Sequence, residues 1–386
     1  MQNYSFSSVD SIHPPKLQFI NNLRALAILL VIFHHAGEVF PNAAFIRIFS
    51  QWGKCGVQLF FVMSAFTLCY TGSKLTLWSK SLAGFYIKRL FRIAPMYYIA
   101  IIAYYYLSSI TSNNIGIWHP GNIEDYTKKN ILCNILFLNG LYPAANNNIV
   151  PGGWSIGCEM LFYVFFPFIL NLTKISRAYL LPVQFFSLFA VGALLFVAKL
   201  NGHHGQGGGA FAYYFIANQM SLFVWGILLF FYWQSKTFFK ILIWGTIAGV
   251  ITIIASYYLG FSSWSWIILP PVAGVISCLT AKLISKIHLH KLFPTIGEVS
   301  YSMYISHFAF LWIVLEFLKI TGVDIDSNLA VILVFATVTI LSFFFSKLTY
   351  KYIETYFISI GKKIAQMLLN NNNNQQLKQT EVSNAK

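Results

Sequence analysis

Apolar segments of helical length recur along this chain from residue 19 to residue 350. A helix of about 20 apolar residues is long enough to cross the hydrocarbon core of a bilayer. Asp, Glu, Lys and Arg make up only 10% of the 386 residues, whereas they make up about a quarter of a soluble domain. The alternating pattern of a β-barrel strand does not occur. The sequence therefore predicts an all-α integral membrane protein.

We predict about ten transmembrane helices, at residues 19–38, 55–71, 93–110, 155–172, 178–199, 211–233, 239–260, 265–285, 296–318 and 329–350. With the N-terminus inside, 19 of the 26 Lys and Arg residues fall on the inner side and six on the outer side. Positively charged loops stay in the cytoplasm, so both termini are expected to be cytoplasmic. The net charge of +15 then reports membrane orientation and does not indicate nucleic-acid binding.

Three regions follow from this pattern. Residues 1–18 are predicted to form a cytoplasmic N-terminal tail, and residues 19–357 a single transmembrane domain. Residues 358–386 are polar and rich in asparagine, which predicts a disordered cytoplasmic tail. No cleavable signal peptide is evident, so the first span is expected to be an uncleaved anchor.

The longest outer connection, residues 111–153, contains a shorter apolar piece at 131–142. This piece is too short to cross a bilayer and predicts a re-entrant or interfacial segment. The connection ends in Pro151-Gly152-Gly153, which can turn the chain sharply before the next span.

Histidines and cysteines could in principle hold a metal ion. His203 and His204 lie in a glycine-rich connection, and His288 and His290 lie in another connection. No carboxylate or third ligand is close to them in sequence, which favours solvated connectors. The five cysteines show no paired spacing and are interpreted as packing residues. We therefore expect neither a metal site nor a disulfide framework.

The first predicted span carries Arg24 near one end and the pair His34 and His35 near the other. Arg24 and His35 are separated by roughly 16 Å along a helix and lie on nearly the same face. Ionisable residues inside a membrane are costly and usually functional, although an arginine can also extend to the interface. The aligned pair therefore predicts a functional site.

A basic cluster of Lys88, Arg89 and Arg92 lies where the third span enters the membrane from the cytoplasm. The planar guanidinium of arginine suits phosphate oxygens, which would make the cluster an anion site. The alternative is that these cations only satisfy the positive-inside rule and bind lipid headgroups.

The fourth span opens with Trp154 and places Glu159 about a turn inside an apolar segment. No Lys or Arg is near Glu159 in sequence, so its partner must come from another helix. Under the predicted topology Glu159 and His35 share the outer half of the membrane, as a base and its orienting group would. A structural hydrogen bond between helices is the alternative.

The ninth span carries a polar stripe at spacings of three and four residues, which can line a cavity or connect helices. Its members are Ser300, Tyr301, Tyr304 and His307.

Taken together, these segments resemble the integral membrane acyltransferase family 3, the bacterial O-acyltransferases that modify cell-surface glycans. The similarity extends over residues 19–357. Its motifs, in the order of the family, are Leu23-Arg-Ala-Leu-Ala through His35, Gly56-Val-Gln-Leu-Phe-Phe-Val-Met-Ser-Ala-Phe66, Lys88-Arg-Leu-Phe-Arg-Ile-Ala-Pro95, Trp154-Ser-Ile-Gly-Cys-Glu159, Ile296-Gly-Glu-Val-Ser-Tyr-Ser-Met-Tyr-Ile-Ser-His307 and Tyr350-Lys-Tyr-Ile-Glu354. The sequence departs from the family pattern at Asn21-Asn22, Ala65 and Ile156-Gly157-Cys158.

The resemblance implies a ten-helix enzyme of the bacterial cytoplasmic membrane that uses acetyl-CoA, or another acyl-CoA, as a donor co-substrate and holds no permanent cofactor. The acceptor would be a glycan or lipid-linked sugar, such as lipopolysaccharide or exopolysaccharide, and membrane lipids surround the enzyme. His35 would be the catalytic base, with Glu159 and Arg24 as further catalytic residues. Lys88, Arg89 and Arg92 would hold the donor, and Trp154, Ser300, Tyr301, Tyr304 and His307 would line the substrate site.

Other functions stay open from the residues alone. A transporter or flippase would show internal pseudo-symmetry with broken helices, which the sequence lacks. A non-catalytic glycan-binding subunit would need no donor site. An O-acyltransferase of the unrelated histidine-containing membrane superfamily would share the reaction but not this order of motifs. The acceptor could also be a small intracellular hydroxyl compound.

Overall fold

The computed structural model describes residues 18–40, 42–72, 75, 80–111, 122–200, 212–258, 265–321 and 327–384. The predicted N-terminal tail through residue 17 and the pair His203-His204 lie outside these residues. Within the described ranges every regular element is helical. The longer helices, numbered here in chain order, are α1 (Gln18–Glu38), α2 (Ala44–Ser50), α3 (Cys55–Thr71), α4 (Lys80–Thr111), α5 (Lys128–Ile135), α6 (Gly153–Ile175), α7 (Leu180–Leu200), α8 (Ile216–Phe231), α9 (Lys236–Tyr258), α10 (Ser265–Ile284), α11 (Leu292–Glu298), α12 (Ser300–Ile320), α13 (Asn328–Thr349) and α14 (Thr355–Asn384).

Over its described residues, each of the ten predicted spans coincides with helical structure, and the span at 296–318 covers both α11 and α12. In the described part of the chain, eight helical segments are long and apolar enough to cross a membrane. The spans predicted at 178–199 and 265–285 correspond to α7 and α10, whose apolar described parts are shorter. The prediction of a multi-pass helical membrane protein is therefore supported, while the number ten and the cytoplasmic position of both termini stay predictions.

The first span is the central helix of the bundle. α1 packs against α3, α11, α12 and α13, and its end contacts α2. Leu23, Ala25, Ala27 and Ile28 of α1 are completely buried. Small residues allow helices to approach closely in a membrane, and tight packing holds polar groups at defined positions. The charged and titratable residues of α1 are consequently held among several other helices.

The described part of the connection before α6, residues 122–152, forms short helices and turns that support the start of α6. Thr127 caps α5, and its Oγ1 accepts a hydrogen bond from the Asn130 amide at 3.2 Å. Tyr97 of α4 donates a hydrogen bond of 2.7 Å to Asn134 at the end of α5. The eight residues of α5 are too few to cross a bilayer, in agreement with the prediction for 131–142.

The tail predicted as disordered from residue 358 forms the helix α14 instead, as far as Asn384. Small residues allow the first part of this helix to pack closely against α4. Gly361 and Ala365 are buried against α4, where they meet Phe91 and Gly84. The spacing of four residues places both on one helical face.

Candidate active site

His35 lies near the end of α1 with its partner one turn further along the same helix. His35 Nδ1 is 2.8 Å from Oε2 of Glu38. The side chain of His35 is 23% exposed and that of Glu38 is 51% exposed, so both reach solvent. A carboxylate at Nδ1 places the imidazole proton on that nitrogen and leaves the Nε2 lone pair available. This pair has the arrangement of a general base with its orienting group.

The neighbouring His34 is oriented by the backbone of α2. Its Nδ1 lies 3.1 Å from the carbonyl oxygen of Ser50, and its Nε2 lies 3.5 Å from Oε1 of Glu38. Gly37 makes this approach of α2 to α1 possible, because a Cβ at that position would overlap the Ser50 side chain. The two helices thus hold both histidines around Glu38.

These residues open into a cavity of about 320 Å³, which we call the histidine cavity. Its wall is mainly aromatic and basic outside the His–His–Glu cluster. The aromatic lining residues are Trp154, Tyr213, Tyr214, Tyr304 and Phe308, and the basic ones are Arg47 and Lys54. Aromatic faces combined with polar tips suit an amphipathic ligand with hydroxyl groups.

A second, narrower cavity of about 80 Å³, which we call the arginine cavity, lies beside the first. Arg24, Arg89 and Arg92 line it together with Glu159. Its other polar lining residues are Ser64, Thr67, Ser155, Tyr163, Ser300, Tyr301 and Tyr304. Three guanidinium groups face a single carboxylate, so the cavity suits a ligand with several negative charges.

Few groups of the protein compensate the arginines. Arg24 donates a long hydrogen bond of 3.4 Å to the neutral side chain of Asn21, and Arg89 donates one of 3.3 Å to Thr71. Arg89 also lies over the rings of Phe85 and Tyr163. Within the described residues, no carboxylate lies within ion-pair distance of the three arginines. Their donors are therefore available to an anionic ligand.

Glu159 has a partner on another helix, as the sequence predicted, and this partner is a hydroxyl group. Its Oε1 accepts hydrogen bonds from Ser64 Oγ at 2.6 Å and from the hydroxyl group of Tyr163. It lines the arginine cavity, whereas His35 lines the histidine cavity and binds Glu38. The hydrogen bond from Ser64 connects α6 to α3, which is the alternative that the sequence left open, and a role of Glu159 in orienting His35 stays a prediction.

The two cavities adjoin at Val57 and Tyr304, which line both of them. Ser155 Oγ donates a hydrogen bond of 2.8 Å to the Tyr304 hydroxyl group, which donates one of 3.0 Å to the Gly152 carbonyl. Gly152 has a φ of 77°, and a Cβ there would lie 2.9 Å from the Tyr304 oxygen. Gly152, in left-handed backbone just before α6, thus helps to position Tyr304 between the two cavities.

His307 is fully buried and lines neither cavity. Its Nδ1 lies 2.7 Å from the Tyr304 carbonyl oxygen, and its ring centre is 5.5 Å from that of His35. Lys88 is exposed and is absent from the lining of the arginine cavity, unlike Arg89 on the same helix. A helix separates consecutive side chains by about 100°, so only part of the basic cluster faces inward.

Sequence reasoning missed several residues of the site. Glu38 is the most important, and its spacing of three from His35 on a helix was the available signal. Ser64 and Tyr163 on α3 and α6 were also missed, since hydroxyl residues are common in membrane helices and carry little signal. Of the predicted residues, Arg24, Arg89, Arg92, Glu159, Ser300 and Tyr301 line the arginine cavity, His35 and Trp154 line the histidine cavity, and Tyr304 lines both.

Comparison with known proteins adds to this geometry. The model of acyltransferase family 3, described as an acyltransferase domain, matches residues 17–347. The protein named "Putative O-acetyltransferase SACOL0978" of Staphylococcus aureus (strain COL) is 26% identical over 380 residues, covering 89% of this chain and 58% of the relative. The peptidoglycan O-acetyltransferase OatA of Listeria monocytogenes serovar 1/2a (strain ATCC BAA-679 / EGD-e) is 25% identical over 375 residues, covering 87% and 55% respectively.

The chain thus spans a little over half the length of the curated relatives it matches. No solved structure matches this chain.

Proposed function

The chain belongs to acyltransferase family 3, as its motifs predicted, and from this premise we propose that it is a membrane O-acetyltransferase with His35 as its general base. The donor is acetyl-CoA, and the acceptor is a hydroxyl group of a glycan or a lipid-linked sugar. The observation that carries the proposal is the His35–Glu38 pair, which opens into a cavity adjoining a second cavity with three arginines.

The arginine cavity suits the nucleotide end of the donor. Coenzyme A carries a diphosphate and a 3′-phosphate, and guanidinium groups bind phosphate oxygens through two parallel hydrogen bonds. Arg24, Arg89 and Arg92 provide such donors, and Glu159 limits the surplus of positive charge. The thin pantetheine arm would pass Val57 and Tyr304, which brings the thioester to His35.

The acyl transfer then needs one proton carrier. His35 Nε2 takes the proton of the acceptor hydroxyl group as its oxygen attacks the thioester carbonyl carbon. When the carbon–sulfur bond breaks, the departing thiolate of coenzyme A takes that proton from the imidazolium. Glu38 stabilises the positive charge on His35 during this interval and keeps the ring in one tautomer.

The acceptor is proposed to occupy the histidine cavity. Trp154, Tyr213 and Tyr214 offer aromatic faces for the apolar side of a sugar ring, with hydroxyl groups at their edges. A relative is named as a peptidoglycan O-acetyltransferase, which supports a glycan acceptor. We propose that the enzyme crosses the bacterial cytoplasmic membrane with both termini inside, so that cytoplasmic acetyl-CoA reaches the arginines and lipopolysaccharide or exopolysaccharide units reach His35.

The experiment measures transfer of radiolabelled acetyl groups from acetyl-CoA to a membrane glycan extract by the purified full chain. We expect His35→Gln to lower the rate about 10²- to 10⁴-fold, the contribution typical of a general base. His290→Gln is the matched control, because His290 lies in an exposed connection. Wild-type protein that neither binds acetyl-CoA nor transfers its acetyl group would overturn the proposal and favour a transporter or flippase.

A further inference from the structure

The cluster around Glu38 contains more ligand atoms than a general base needs. The potential metal ligands of His34, His35 and Glu38 all lie within 4.8 Å of one another. We propose that these three residues form a Zn²⁺ site and that zinc bound there inhibits acyl transfer. The zinc affinity stands independently of the catalytic assignment, whereas the inhibition rests on the proposed function.

The distances within the cluster are close to those of a zinc site. His35 Nδ1 and His34 Nε2 lie 2.8 Å and 3.5 Å from the two carboxylate oxygens of Glu38. Zinc binds histidine nitrogen and carboxylate oxygen at about 2.0–2.2 Å, so neighbouring ligand atoms of a tetrahedral site are about 3.3 Å apart. The two measured distances of 2.8 Å and 3.5 Å lie on either side of this spacing.

The orientation of His34 is a second, independent observation. Its Nδ1 lies 3.1 Å from the Ser50 carbonyl oxygen, to which it can only donate a proton. Nε2 then carries a lone pair and faces Glu38. Histidines that bind metal ions usually donate their other nitrogen to a backbone carbonyl or a carboxylate, which sets the tautomer and the ring orientation. His34 is already held in this way without any role in the acyl transfer proposed above.

The site also has room for a fourth ligand. The three side chains border the histidine cavity and are partly exposed, so a water molecule can complete a tetrahedral coordination. Two histidines and one glutamate with an open position are a common zinc ligand set. Arg47 and Lys54 line the same cavity and repel a cation, so we expect reversible binding and not a permanently held metal.

Zinc at this position removes the base by changing its tautomer. The metal takes the lone pair of His35 Nδ1, and the single proton of the neutral imidazole then resides on Nε2. That nitrogen has no lone pair left for the proton of an acceptor hydroxyl group. Glu38 changes at the same time from a hydrogen-bond acceptor of His35 to a metal ligand. Zinc and catalysis therefore compete for the same three side chains.

The binding test titrates ZnCl₂ into the purified full chain in detergent, in competition with a chromophoric zinc chelator. We expect His34→Gln to weaken zinc binding by about 10- to 100-fold, and Glu38→Gln to do so as well. The matched control is a variant with His203→Gln, His204→Gln, His288→Gln and His290→Gln, which removes the other histidine pairs and should leave this affinity intact. Equal zinc affinity of wild type, His34→Gln and Glu38→Gln would overturn the site.

The activity test measures acetyl transfer against free zinc, with each variant normalised to its own rate in chelator. Zinc should inhibit the wild type reversibly, and His34→Gln should need about tenfold more zinc for the same fractional inhibition. Zinc that activates the wild type would overturn the inhibition while leaving the binding site in place. A protein without any acetyl transfer would overturn the proposed function and not the zinc affinity, which the chelator competition reports separately.

Discussion

Nδ1 of His35 lies 2.8 Å from Oε2 of Glu38, three residues further along the same helix. Both partners of the proposed base therefore come from α1, and the geometry of one helical turn determines their spacing. No other helix has to be positioned for the tautomer of His35 to be set. We expect substitution of Glu38 to lower kcat, substitutions in the arginine cavity to change the KM for acetyl-CoA, and substitution of Gly152 beside Tyr304 to lower stability.

Replacement of Glu38 should damage catalysis through the tautomer of His35. In Glu38→Gln the amide can donate a proton to Nδ1, which places the imidazole proton on Nε2 and blocks the base. We expect kcat for acetyl transfer to fall about 10²- to 10⁴-fold, as when the orienting carboxylate of a catalytic histidine is lost. Glu124→Gln is the control, because Glu124 is exposed in the connection between α4 and α5. A Glu38→Gln enzyme with unchanged kcat would remove Glu38 from the mechanism.

Arg89 and Lys88 are neighbours in sequence but differ in their access to the arginine cavity. Arg89→Ala should raise the KM for acetyl-CoA about 10- to 100-fold, because a charge-assisted hydrogen bond contributes about 1.5–3 kcal/mol. Lys88→Ala should leave KM close to the wild-type value, since Lys88 is exposed and does not line the cavity. Initial-rate kinetics over a range of acetyl-CoA concentrations provides both values. Equal increases in KM would mean that the cluster acts only as a diffuse positive charge.

We expect Glu159 to affect the binding of acetyl-CoA and not the proton transfer by His35. Glu159→Gln preserves the acceptor for Ser64 and Tyr163 but removes the negative charge beside the three arginines. We expect the KM for acetyl-CoA to change severalfold, with a much smaller effect on kcat than in Glu38→Gln. The same initial-rate kinetics measures this difference. If both variants lose kcat to the same extent, the interpretation that Glu159 orients His35 is the better one.

Gly152 should be sensitive to the addition of a single methyl group. Gly152→Ala places a Cβ at a φ of 77° and 2.9 Å from the Tyr304 hydroxyl oxygen. We expect a loss of about 1–3 kcal/mol in the free energy of unfolding, from backbone strain at a left-handed residue. Gly192→Ala is the control, because nothing lies within 4 Å of the position that its Cβ would take and alanine favours a helix. Thermal unfolding in detergent, followed by tryptophan fluorescence, compares the two variants.

The sequence by itself determined the architecture at the level of individual helices. The described residues of the ten apolar segments are helical, because a chain in a bilayer must satisfy its backbone hydrogen bonds within the segment. It also identified the charged residues of the arginine cavity. Arg24 and Glu159 were informative because a charge in an apolar segment is rare, and Arg89 and Arg92 because they form a basic cluster at the start of a span. His35 and Arg24 could be recognised for the same reason, together with the similarity of their spacing to a known family.

Only the tertiary structure decided which of these residues meet. Sequence spacing determines the neighbours of a residue on its own helix, but the rotation and depth of each helix depend on packing against all the others. That packing directs Glu159 toward Ser64 and Tyr163. It also keeps Lys88 outside the arginine cavity and places Tyr304 between the arginine cavity and the histidine cavity. The pairing of His35 with Glu38 is local in sequence, yet a glutamate at the end of a span has many possible roles until the surrounding cavity is known.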